Sequence, residues 1–176
     1  KLVEEMGGTI TFESEKGVGT TFVIRVPFKI DLDADKREES KDVSEKSIKG
    51  MHVLLAEDNE LNMEIAEFLL QNEGAEVTKA WNGQEIVELF RKSEAGEFDV
   101  ILMDIMMPII NGYEAAKRIR SLDREDAKKI PIIAMTANAF TEDRIRAKEA
   151  GMDEHVAKPI DVELLIKVIH KLVKHN

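Results

Sequence analysis

From Met51 onward, short apolar runs alternate with longer segments whose apolar residues recur every three to four positions. That alternation predicts strands over 52–56, 76–80, 100–104, 132–135 and 155–157. It predicts helices over 61–72, 83–95, 113 to about 122, 141–150 and 162–174. Five strands, each followed by a helix, make an α/β fold, a doubly wound parallel sheet with right-handed crossovers and helices on both faces. The first fifty residues have a different rhythm. A helix end at 1–6 is stopped by Gly7-Gly8, an alternating strand covers 9–13, a turn runs through 14–19, and a second strand, 20–26, ends at Pro27. Two strands and a helix stub cannot build an independent core. Residues 29–50 alternate acids and bases with almost nothing apolar, and such a segment reads as a charged linker between domains. The expected organisation is 1–28, a β-hairpin fragment; 29–50, the linker; and 51–176, the α/β domain.

The central run, Val100-Ile101-Leu102-Met103-Asp104, delivers one carboxylate to a strand mouth, where open α/β sheets carry their sites. By itself Asp104 is as readily a turn former. Its neighbours in the expected sheet change that balance. Glu57 and Asp58 follow the first strand of the alternation, Thr136 the fourth and Lys158 the fifth, so three acids, one hydroxyl and one amine converge at one edge. Carboxylates that close repel one another unless a cation sits among them, and a hard dication with oxygen ligands, Mg2+, is the natural partner.

Composition narrows the field. The chain has 176 residues, a net charge of −10 and 43% hydrophobic residues, enough for one ordinary core plus a small appendage. Lysines and arginines are dispersed through an acidic chain, which argues against nucleic acid as a ligand. With no cysteine, disulfides and thiolate metal sites are excluded. No apolar run approaches a membrane span and no signal-peptide pattern opens the chain, so a cytoplasmic placement is expected, the parent protein being free to carry a membrane anchor elsewhere. The start at Lys1, in mid-pattern and without an initiator methionine, suggests a piece of a longer polypeptide.

Two resemblances follow from particular residues. Met6-Gly7-Gly8-Thr9-Ile10, then Glu13 to Phe22 with Gly17-Val18-Gly19-Thr20, and the closing Val26-Pro27-Phe28 resemble the last segment of a histidine-kinase ATP-binding domain. The earlier asparagine and glycine boxes of that family are absent, so nucleotide binding is not expected here. Leu55-Ala56-Glu57-Asp58-Asn59, Leu102-Met103-Asp104-Ile105-Met106-Met107-Pro108 with Asn111-Gly112, Ile132-Ile133-Ala134-Met135-Thr136-Ala137 and Ala157-Lys158-Pro159 resemble the receiver domain of two-component response regulators, the CheY-like family. That resemblance spans Met51 to about Lys174. It implies the flavodoxin-like strand order 2-1-3-4-5 and a cis bond before Pro159. It further implies that Asp104 accepts a phosphoryl group from phosphohistidine, and that Glu57, Asp58, Asp104 and the main-chain carbonyl of Met106 hold Mg2+. Lys158 would pair with the phosphoryl oxygens and Thr136 would swing in to meet them. The switch ring on the fifth strand, usually Tyr or Phe in the family, is His155 here, which implies a buried state that is weaker or sensitive to pH.

The residues support this chemistry independently of the resemblance, because an ionised carboxylate needs no general base and the obstacle to its attack on phosphorus is charge. Rival readings turn on single positions. An aspartyl-phosphate-type, Mg2+-dependent phosphatase would carry a second acid two residues after Asp104, where Met106 stands. A flavodoxin-like cofactor binder would want free amides after the first strand, not Glu57-Asp58-Asn59-Glu60. An active kinase would need a phosphoacceptor histidine, and His52, His155, His170 and His175 lie on strands or at the tail of the last helix. A receiver-like interaction module that is never phosphorylated completes the alternatives. Taken together, the chain looks like the C-terminal part of a hybrid histidine kinase, a phosphorelay phosphoprotein in signal transduction whose partners are a histidine kinase domain or a histidine phosphotransfer protein. In the first helix of the domain Leu61, Ile65, Phe68 and Leu69 form one apolar face and Met63, Ala66 and Leu70 another. The expectation is that the second face is partly exposed and docks a helical partner.

Overall fold

The computed structural model describes residues 2–27, 47–137 and 141–173. The chain divides into two compact units, 1–41 and 42–176. In the first, α1 (Leu2–Glu5) precedes β1 (Thr9–Glu15) and β2 (Gly19–Arg25), an antiparallel pair in which Ile10 faces Ile24 and Phe12 faces Phe22. The two phenyl rings are 5.9 Å apart, yet every residue of both strands is exposed. This matches the expected hairpin without a core, with the first strand two residues longer than the pattern indicated and the second shifted by one residue. The linker expected over 29–50 lies outside the described residues up to 46, as do the expected ends at Phe28 and Lys174.

The second unit is built from β3 (His52–Ala56), α2 (Glu60–Asn72), β4 (Glu76–Ala80), α3 (Gly83–Lys92), β5 (Val100–Asp104), α4 (Gly112–Arg120), α5 (Glu125–Lys129), β6 (Ile132–Thr136), α6 (Thr141–Glu149), β7 (Glu154–Ala157) and α7 (Val162–Val173). The five strands form one parallel sheet in the order β4-β3-β5-β6-β7. Counted within this unit, that is 2-1-3-4-5. β5 and β6 are buried at every position, as central strands covered on both faces must be. Their alternate residues feed two cores. Leu54, Ile101, Met103, Ile132 and Ala134 pack with Ile86 and Phe90 of α3 and Ala115, Ala116 and Ile119 of α4. Val53, Leu55, Leu102, Ile133 and Met135 pack with Met63, Ala66 and Leu70 of α2 and Leu165, Ile166 and Ile169 of α7.

Two details differ from the sequence reading. Ile48 is fully buried in the second core, so the packed domain begins before Met51 and the last residues of the expected linker belong to it. The helix α5 was not foreseen, because five residues are too few to show a helical period. Arg124 holds it in place by donating to the carbonyls of Phe90, in the last turn of α3, and of Ser93 and Glu94 just past it, and by pairing with Asp126 at 2.7 Å.

Candidate functional site

Each functional side chain is delivered by a strand that ends at the same edge of the sheet. Three of the helices that follow are started there by asparagine: Asn59, Asn82 and Asn111 each accept a hydrogen bond from the backbone N–H three residues on, which satisfies a donor that would otherwise lack a partner. The turn out of β5 is tight. A Cβ at Gly112 would lie 2.2 Å from the carbonyl oxygen of Asp104, so only glycine lets α4 start this close to the strand end.

Asp104 is 6% exposed and Glu57 2%, while Asp58 is exposed. One carboxylate oxygen from each of the three lies within 4.8 Å of the others. Lys158 reaches in from the end of β7, its Nζ 2.8 Å from Asp104 Oδ2 and also hydrogen-bonded to Glu57. Burial pushes the Asp104 carboxyl above its ordinary pKa, with the Lys158 hydrogen bond opposing. Burial alone would lower the Lys158 amine, but hydrogen bonds and charges from Asp104 and Glu57 outweigh it and hold the amine above its ordinary value. Three carboxylates against one ammonium leave two negative charges unbalanced among hard oxygen donors, which fits a dication such as Mg2+.

Thr136, 7% exposed at the end of β6, lies one residue beyond the rung at which Asp104 pairs with Met135. Asp104, Thr136, Ala137, Lys158, Met106 and Asn62 line one cleft of about 390 Å3. Met106 contributes its N–H, which donates to Asp104 Oδ1 at 3.3 Å. The Lys158–Pro159 bond is cis, as expected. Asn62 was not singled out from the sequence, yet its Nδ2 donates to Glu57 Oε1 at 3.0 Å. The available signal was its place in the first turn of α2, where side chains lean back toward the strand end.

His155 lies on the fifth strand of the sheet, where the sequence placed it. His155 pairs in register with Ala134, its Nδ1 is 3.2 Å from Glu154 Oε1, and it lines a separate groove with Arg144, Ile145, Lys148 and Met152. The expected docking stripe is corrected. Met63, Ala66 and Leu70 are at most 1% exposed, whereas Leu61, Ile65 and Phe68 are 64%, 49% and 62% exposed. Both faces are apolar, so periodicity alone cannot say which one meets the sheet.

Comparison with known proteins agrees with this geometry. Residues 53–170 match the family described as response regulator receiver domain. The chain is 33% identical over 172 residues to the aerobic respiration control sensor protein ArcB of Escherichia coli strain K12, covering 97% of this chain and 21% of that protein. It is 34% identical over 161 residues to histidine kinase 1 of Arabidopsis thaliana, covering 74% of this chain and 13% of that protein. The chain therefore spans about a fifth or less of the curated relatives it matches. Among solved structures, the receiver domain of the sensor histidine kinase PA1611 from Pseudomonas aeruginosa, with a magnesium ion coordinated in its active-site cleft, is 34% identical with a TM-score of 0.64, over 71% of this chain and 98% of that one. The receiver domain of the response regulator Ssk1 of Saccharomyces cerevisiae, crystallised with the histidine phosphotransfer signaling protein Ypd1, belongs to a match at 28% identity and TM-score 0.62, over 72% of this chain and 90% of that one.

Proposed function

This chain belongs to the response regulator receiver domain family of two-component phosphorelays, and we propose that Asp104 is its phosphoryl acceptor, served by Lys158, Thr136 and a Mg2+ ion held by Glu57, Asp58, Asp104 and the Met106 carbonyl. The observation that carries this reading is the recessed Asp104 carboxylate, hydrogen-bonded to Lys158 with two further acids within 4.8 Å. In the step itself an Asp104 carboxylate oxygen attacks phosphorus as the N–P bond of a phosphohistidine breaks. The bond electrons stay on the imidazole nitrogen, which takes a proton from solvent, and an acyl phosphate forms on Asp104. The chain's task is positioning and charge balance, since the nucleophile is already ionised. Bound Mg2+ would supply positive charge against the phosphoryl oxygens. Lys158 holds its proton and offers it to the same oxygens. Thr136, next to the small Ala137, can turn its hydroxyl toward the transferred group, and that movement is the proposed switch.

The proposed donors are a histidine kinase domain or a histidine phosphotransfer protein. The exposed stripe Leu61, Ile65 and Phe68 of α2 replaces the buried one as their docking face, because a phosphohistidine can reach Asp104 only from a surface laid across the cleft mouth. The aspartyl-phosphate phosphatase remains disfavoured by Met106, a thioether where a general acid would be needed. Incubation with acetyl phosphate and Mg2+, followed by mass mapping, should place the added phosphoryl group on Asp104. Asp104→Asn should abolish it, and labelling that persists in that variant would move the site elsewhere.

A further inference from the structure

Glu57 is the longest and most buried acid of the cluster, at 2% exposure. A glutamate has one more rotatable bond than an aspartate, so its carboxylate must be fixed before it can act as a ligand with a set direction. A carboxylate this buried also needs a partner for each oxygen. Lys158 serves one of them, but the same ammonium lies 2.8 Å from Asp104 Oδ2. Asn62 serves the other, its Nδ2 donating to Glu57 Oε1 at 3.0 Å.

Helix stability does not account for Asn62. It is the third residue of α2, the place where a capping box carries Glu or Gln reaching back to the N-cap, and asparagine is a poor helix former. Its main chain already completes the cap by donating from its N–H to Asn59 Oδ1 at 3.1 Å. That bond fixes the first turn, and the side chain, tilted back toward the end of β3, directs its amide at Glu57. Asn62 thereby lines the same cleft as Asp104, Thr136 and Lys158. The chemistry of the donor matters as much as its place. An ammonium at this position would hold Glu57 equally well but cancel the charge that a cation requires. A neutral amide holds it and leaves that charge in place.

We infer that Asn62 is a positioning residue of the cation site, its amide fixing the buried Glu57 carboxylate for Mg2+ without neutralising it. The inference rests on the reading of Glu57, Asp58 and Asp104 as a Mg2+ site beside the phosphoryl acceptor.

The test uses the whole chain. The Mg2+ dissociation constant is read from the rise of the thermal midpoint as MgCl2 is added, and phosphoryl acceptance from labelling by acetyl phosphate. Asn62→Leu removes the donor and favours the helix, so its metal-free midpoint should not fall below that of the wild type. Its Mg2+ dissociation constant should nevertheless rise about tenfold, the scale on which losing the partner of a metal ligand weakens a site. Asn62→Gln keeps the amide and should regain most of the affinity. Asn62→Lys keeps a donor but should bind Mg2+ as poorly as Asn62→Leu. An unchanged dissociation constant in Asn62→Leu overturns the inference, as does Asn62→Gln binding no better than Asn62→Leu, or Asn62→Lys binding as well as the wild type. A wild-type midpoint indifferent to Mg2+, or a wild type that acetyl phosphate does not label, instead overturns the site reading on which the inference rests.

Discussion

At the scale of single residues, Asp104 and Lys158 show how burial and pairing compete. Burial opposes charge on both, yet their hydrogen bond at 2.8 Å and the neighbouring Glu57 keep Lys158 protonated through the neutral range. A pair that resembled it only in geometry, on the surface, would contribute little. Asp126 illustrates the opposite balance. The Arg124 guanidinium that hydrogen-bonds it, with the Gly96 N–H as a further donor, holds its carboxyl below the ordinary aspartate value. The folded chain then binds that proton more weakly than the unfolded chain, so the pair's contribution is complete above about pH 4 and is lost as pH falls through the lower folded value. Urea midpoints measured from pH 5 down to pH 2 should decline less steeply for Asp126→Asn than for the wild type, and equal slopes would refute this pairing as a source of acid sensitivity.

At the scale of elements, α2 separates what pattern can and cannot decide. Its two apolar stripes are chemically alike, but Met63 is fully buried and Phe68 is 62% exposed. Met63→Asp should cost about 3 kcal/mol or more of unfolding free energy, since it strands a charge in the core. Phe68→Asp should leave the denaturant midpoint within about 0.5 kcal/mol of wild type while slowing transfer from a histidine phosphotransfer protein. Circular dichroism melts and transfer assays on the two variants check this, and the reverse ordering would restore the original assignment. The hairpin β1–β2 is the counterpart case. Its two strands and glycine turn were legible from sequence, but an element with every residue exposed owes nothing to a core in the described structure.

At the scale of the whole molecule, the proposed Mg2+ site would link site and stability. Mg2+ that binds the folded acidic cluster and not the unfolded chain stabilises the fold by mass action, about 1.4 kcal/mol at ten times its dissociation constant. That corresponds to a rise of about 5 °C in the receiver's thermal midpoint. Chelation should reverse it, and Asp104→Asn should weaken it. A midpoint indifferent to Mg2+ in the wild type would count against the metal reading. Among the described residues no helix is long and apolar enough to cross a membrane.

What the sequence determined by itself was the alternation of strands and helices, and with it a doubly wound parallel sheet, because the two hydrophobic periods and the rule of right-handed crossovers leave few other arrangements; the strand order was what the receiver resemblance implied. The residues of the proposed acceptor set were brought together by that sheet, since each of Glu57, Asp58, Asp104, Thr136 and Lys158 comes at or just after the end of a strand, where position in the chain fixes position in space. Other features depended on contacts between residues far apart in the chain. Tertiary structure alone decided which stripe of α2 is buried, that Ile48 joins the core, that Asn62 braces Glu57, and that His155 faces a groove outside the cleft. Each of these is settled by what packs against the residue, and a one-dimensional pattern records a residue's own polarity but not its neighbour's.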